Sequence, residues 1–176
     1  MKLNRGNIVG KLQELTYNLL PKRIGIISKG EKIFYVQVPK FIIGGSGGLV
    51  LCNKKSGKLM ILIAKKKDKF LRYTIYHEYI EGKIFQSKKT KQQILDFITS
   101  KLHLFFAIYR IDQKQIPMKD FLEALKKRVS RDGAHWEALL REIQLAKKEL
   151  SKDKLVDFYI EVIRRDRFKV LPPKSS

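Results

Sequence analysis

Two short apolar runs, Leu49-Val50-Leu51-Cys52 and Leu59-Met60-Ile61-Leu62-Ile63, flank the polar segment Asn53-Lys54-Lys55-Ser56-Gly57-Lys58. Short apolar runs bounded by a polar, glycine-containing loop read as a β-hairpin. Directly after it the period changes. From about Lys69, the apolar residues Phe70, Leu71, Ile75, Tyr79 and Ile80 recur at three- and four-residue spacing, which predicts a helix over 69–86. Strands followed by helices place the chain in the α+β class.

The remaining segments extend this pattern. Ile8, Val9, Leu12, Leu15, Leu19 and Leu20 have helical spacing, and Pro21 ends the helix they predict over 8–20. Residues 33–38 read as a strand closed by Pro39. Gly44-Gly45-Ser46-Gly47-Gly48 neither precedes a helix nor ends in Gly-Lys-Ser/Thr, so it is a flexible turn entering a strand and not a phosphate loop. A strongly apolar helix is expected over 92–111, at the hydrophobic centre. Pro117 opens another over 118–129. Ser130-Arg131-Asp132-Gly133 reads as a turn before a helix over 134–150, and Ser151 caps a last helix over 152–167. The expected architecture is a small antiparallel sheet with a mostly helical C-terminal half. It forms one domain over 1–171 with a flexible tail over 172–176.

Composition narrows the function classes. An apolar share of 44% in 176 residues excludes wholesale disorder. The single cysteine, Cys52, excludes an internal disulfide and is expected in the core of its strand. No run approaches the roughly 20 apolar residues of a membrane span, and the N-terminus lacks a signal-peptide pattern. A cytoplasmic protein without a membrane span is therefore expected. The net charge of +21 is not offset by acidic residues. It favours association with nucleic acid or another polyanion, although no nucleic-acid-binding signature accompanies it.

Chemistry concentrates in Arg72-Tyr73-Thr74-Ile75-Tyr76-His77-Glu78-Tyr79-Ile80-Glu81. On a helix His77 and Glu81 lie one turn apart on one face. This is the geometry of the H-E-x-x-H metalloprotease helix, in which the first and fifth residues bind zinc and the second is the general base. Here the fifth residue is a glutamate, and a carboxylate is a competent zinc ligand. The competing reading makes His77 a hydrogen-bonded surface residue with Glu78 and Glu81 solvated.

The hairpin, the basic segment after it and the Arg-Tyr-Thr-x-x-His-Glu lead-in resemble the zincin-like metallopeptidases of the ImmA/IrrE type. Arg72, Tyr73, Thr74, His77 and Glu78 fall on the matching positions, and Glu81 replaces the second histidine. The family takes its third ligand from a glutamate on a later helix, three residues before an alanine. Ala134-His135-Trp136-Glu137-Ala138 offers His135 at that place. The resemblance thus implies a zinc held by His77, Glu81 and His135, with Glu78 as catalytic base acting on a protein or peptide substrate. It covers about 47–82 and the stretch around His135.

Glu142 follows His135 by seven residues. Two turns put them about 10 Å apart along a helix axis. That is too far for both to hold one ion, so Glu142 is read as an acceptor orienting an imidazole from outside the ligand set, or as a surface partner of nearby lysines. Against the metallohydrolase reading stands a non-enzymatic basic nucleic-acid-binding protein in which the His-Glu helix only packs.

Overall fold

The sheet is built around a strand with no exposed face. In the computed structural model, which describes residues 5–26, 32–44, 46–53, 56–65, 69–87, 89–101, 103–104 and 118–165, the chain divides into two compact units, Met1–Gln86 and Ser87–Ser176. The first contains helix α1 (Arg5–Leu19), strands β1 (Arg23–Ile26) and β2 (Lys32–Val38), and a 3-10 turn (Lys40–Ile43). Strands β3 (Gly48–Cys52) and β4 (Leu59–Ala64) and helix α2 (Leu71–Gln86) complete it. The strand order is β1-β2-β4-β3.

In β4 the residues Met60 to Ala64 are all buried. Met60, Leu62 and Ala64 point to one side and join Tyr17 of α1 with Val36, Val38 and Ile43. Ile61 and Ile63 point to the other and join Ile33, Tyr35 and Ile75 of α2. Both faces are therefore covered by helices, which is why this run shows no alternation of apolar and polar residues.

The predicted hairpin forms. β3 and β4 pair antiparallel from Gly48↔Ile63 to Cys52↔Leu59. The Asn53 amide donates to the Lys58 carbonyl (2.9 Å) and the Gly57 amide to the Asn53 carbonyl (2.8 Å). Gly57 takes φ 66°, a left-handed conformation that favours glycine. The Asn53 side chain donates to Glu14 Oε1 (3.0 Å), tying the loop to α1.

The sheet is mixed, which corrects the expectation of an antiparallel one. β1 and β2 are antiparallel, but β2 and β4 run parallel, with Tyr35 opposite Ile61. The chain between them turns through the 3-10 segment and spends β3 on the outer edge before β4 returns beside β2. Cys52 is a strand residue as expected, but it is exposed and not in the core, because it ends an edge strand.

The second unit contains α3 (Lys91–Ser100), α4 (Met118–Glu149) and α5 (Lys152–Arg165) among the described residues. A capping box starts α3: the Gln93 amide donates to Thr90 Oγ1 (3.2 Å) and the Thr90 amide to Gln93 Oε1 (2.9 Å). The helix expected over 92–111 instead stops at Ser100, with the Lys101 amide closing on the Ile98 carbonyl (3.0 Å). His103 and Leu104 are helical again after this break, and 102 and 105–111 lie outside the described residues.

The turn expected at 130–133 is a kink. α4 continues through it, and Asp132 alone departs from helical geometry (φ −128°, ψ 38°). Beyond the kink Trp136, Glu137, Ala138, Leu139 and Leu140 are consecutively buried, so this arm has neighbours on most sides. The expected tail over 172–176 and Pro117 lie outside the described residues. No helix among the described residues is long and apolar enough to cross a membrane.

Candidate metal centre

Helix α2 lies along the edge strand with a simple correspondence. Alternate residues of β3 face every fourth residue of α2, since two strand residues advance about 6.8 Å and four helix residues about 6.0 Å. Gly48 faces Glu78, Val50 faces Gly82, and Cys52 faces Gln86. Gln86 Nε2 donates to the Gly57 carbonyl and approaches Cys52 Sγ (3.8 Å), fastening the C-terminal end of α2 to the hairpin loop.

The polar residues that the sequence singles out on α2 are largely shielded from solvent. Thr74 (3% exposed), His77 (3%) and Glu78 (8%) are all buried, so His77 and Glu78 are not the solvated surface residues of the competing reading. Glu81 is half-buried. His77 Nε2 and Glu81 Oε2 stand 3.4 Å apart across one helical turn. Two zinc ligands at about 2.0–2.2 Å in tetrahedral arrangement lie roughly 3.3–3.6 Å apart. A charge-assisted N–H···O bond is shorter, about 2.7–2.9 Å. The spacing therefore suits one edge of a coordination tetrahedron, and an imidazole with a carboxylate is a donor pair that zinc accepts.

Glu78 sits one residue on, turned toward β3. Its side chain lies over the bare Cα of Gly48: a Cβ built there would be 2.7 Å from both Cγ and Cδ of Glu78, and closer still to Oε1. Gly48 is a position where a side chain would collide with Glu78, which reading the glycine run as a flexible turn overlooks. The signal was present in the period, because Gly48 continues the alternation of Val50 and Cys52 toward one face.

His135 belongs to the second unit. It is half-buried in the second arm of α4, three residues past Asp132, and its ring meets that of Trp136 edge-on (5.9 Å between centroids). Glu142, two turns later, is fully buried, which excludes the reading of it as a surface glutamate.

The carboxylate that organises this arm is Glu137, whose role the sequence reading missed. It is fully buried, and its Oε1 accepts from Lys89 Nζ (2.7 Å) and from Arg141 Nε (3.0 Å) and Nη2 (2.8 Å). The Arg141 guanidinium lies over the Phe97 ring at 4.4 Å and Lys89 Nζ at 5.7 Å. One carboxylate and two cations thus clamp α3 to the second arm of α4 and fix the helix that carries His135. The i,i+4 spacing of Glu137 and Arg141 is the only sequence trace of this clamp.

Compared with family models, curated proteins and solved structures, the chain has no match.

Proposed function

We propose that the protein is a zinc-dependent metallohydrolase acting on peptide bonds, similar to the zincin-like metallopeptidases of the ImmA/IrrE type. The observation that carries this reading is the 3.4 Å separation of His77 Nε2 and Glu81 Oε2 on a buried helix face. His135 is assigned as the third ligand. His77, Glu81 and His135 each offer one ligand atom, two imidazole nitrogens and a carboxylate oxygen. Two histidines and one carboxylate are a donor set that leaves zinc one open position.

When bound, the metal supplies Lewis acidity that brings the pKa of a water toward neutrality. The residues of the chain do the rest. Glu78 is not a ligand in this scheme. It takes a proton from the water and delivers it to the departing amine. Its burial against β3 keeps bulk water from competing for that proton. Glu142 is assigned to orienting an imidazole of the ligand set, a role that metal-bound histidines commonly require. Glu81 as an anionic ligand offsets part of the metal's charge and tempers its Lewis acidity.

The test uses protein purified without a polyhistidine tag and analysed for zinc. Close to one zinc per chain is expected, lost in His77→Ala and retained in Glu78→Gln, which removes only hydrolysis. A chain that binds no zinc when it is supplied, or a Glu78→Gln variant with full peptidase activity, refutes the respective part of the assignment.

A second reading rests on the net charge of +21, with Lys22, Arg23, Lys32, Lys40, Lys58 and Lys65 exposed on the first unit. It makes the chain a basic module that associates with nucleic acid or another polyanion. Duplex affinity should then fall with salt at a slope of about −0.9 per phosphate contact, with little sequence preference. His77→Ala should leave it unchanged. Absence of binding at low salt removes this reading.

A further inference from the structure

We propose that Gly48 is a positioning residue for Glu78: the missing side chain on the edge strand is the seat in which the Glu78 carboxylate is held. The inference rests on the reading of Glu78 as general base, but its geometric half stands on β3 and α2 alone.

Three observations define the seat. The first is space. A Cβ at Gly48 would come within 2.7 Å of Glu78 Cγ and Cδ, and nearer to Oε1, where no real Cβ contact lies. The second is support from behind. Ser46 Oγ lies 2.6 Å from the Gly48 carbonyl and 2.9 Å from that of Ile43, so its one proton serves either acceptor. The Ala64 amide donates to the Gly47 carbonyl (3.0 Å), and Gly48 is in register with Ile63. The strand therefore does not recede freely when something pushes on it. The third is the approach of the helix. Gly82, one turn after Glu78, lets α2 come so close that an added Cβ would be 2.7 Å from Val50 Cγ2 and 2.8 Å from Leu59 Cδ2.

The two glycines thus do different things. Gly82 meets branched side chains of the sheet, so it sets the distance between α2 and β3. Gly48 meets the outer part of one flexible side chain. A methyl group there leaves the fold a way out, by turning the Glu78 side chain to another rotamer. What it removes is the position of the carboxylate. Gly48 backbone conformation is ordinary extended strand, so the requirement for glycine is one of space alone.

A double-mutant cycle tests this in the full chain. Gly48→Ala is measured by urea unfolding in the wild-type background and in Glu78→Ala. Alanine is ordinarily better than glycine in a strand. In Glu78→Ala the midpoint should therefore rise, whereas in the wild type it should stay level or fall. Equal shifts in the two backgrounds overturn the proposal. Gly82→Ala is the control, since its shift should be the same with and without the Glu78 side chain.

Metal content and kinetics supply the functional arm. Gly48→Ala should keep the wild-type zinc content and KM while kcat on a peptide substrate falls at least tenfold. A kcat equal to wild type overturns the positioning role. A wild-type chain that takes up no zinc refutes the metal reading, and the cycle still decides whether Gly48 seats Glu78.

Discussion

Replacing a helix-interior glycine by alanine should move the stability of the first unit in opposite directions at Gly10 and at Gly82. Both lie within helices, α1 and α2, where alanine is favoured over glycine by about 0.5–1 kcal/mol. Among the described residues nothing lies within 4 Å of a Cβ added at Gly10, so the whole gain should appear. At Gly82 the added Cβ would be 2.7 Å from Val50 Cγ2, and 2.8 Å and 3.0 Å from the two Leu59 methyl carbons. Relaxed carbon contacts are about 3.5–4.0 Å, so α2 must lift or two half-buried side chains must leave their rotamers. Overpacking of this kind costs about 1–3 kcal/mol, which outweighs the backbone gain and leaves a loss of up to about 2 kcal/mol. Native-state hydrogen exchange at the amides of β2 and β4 reads the opening of this unit directly. Since 1–2 kcal/mol is a factor of about 5–30, Gly10→Ala should slow that exchange by a few-fold and Gly82→Ala should speed it by up to about thirtyfold. Equal slowing in both variants would refute the close approach of α2 to the hairpin.

Tyr159 carries a buried hydroxyl without a hydrogen-bond partner among the described residues, so Tyr159→Phe should raise the urea midpoint by an amount worth about 1 kcal/mol, and a fall would show that the hydroxyl is satisfied. Burial raises the pKa of Tyr17 and Tyr159 above the ordinary tyrosine value. The unfolded chain releases these protons first, so their contribution is fully present below about pH 10 and is lost as pH rises through the folded values. The alkaline fall in stability should be shallower in a Tyr17→Phe/Tyr159→Phe double variant, and an unchanged slope would exclude both residues as its source. Zinc at 100 times its dissociation constant should stabilise the chain by about 2.7 kcal/mol, an effect absent in His77→Ala, as unfolding with and without added metal would show.

Legibility in the sequence followed the number of faces a segment buries. The hairpin and β2 could be read because each is a short apolar run with a marked end, such as Gly57 or Pro39, and α2 because its apolar residues keep a helical period. β1 could not, since Arg23-Ile24-Gly25-Ile26 has four residues and a glycine and owes its strand conformation to pairing with β2. The parallel pairing of β2 and β4 was equally hidden, because a run buried on both sides reveals that it is covered and not which strand lies beside it. Apolarity continued past Ser100, so the helix starting at Lys91 was drawn too long. At 130–133 the loop-forming residues were recognised, but α4 absorbs them in one non-helical residue. The His77–Glu81 pair was legible from a four-residue spacing alone. The seat for Glu78 and the clamp on Glu137 were not, because each depends on a second element meeting the first at a distance that no local pattern records.

The exposed thiol at the end of β3 makes the molecule unusually easy to instrument. Cys52 is the only cysteine, so a fluorophore or spin label attaches at one place without prior removal of others. It lies four residues along the strand from Gly48 on the same face, about 13–14 Å away, and next to Gln86 at the end of α2. A probe there is far enough from the carboxylate seat to leave it intact. It is also close enough to register any change in how α2 lies on the edge strand. The same four-residue correspondence that brings Glu78 to Gly48 thus provides a reporter site on the strand it is meant to monitor.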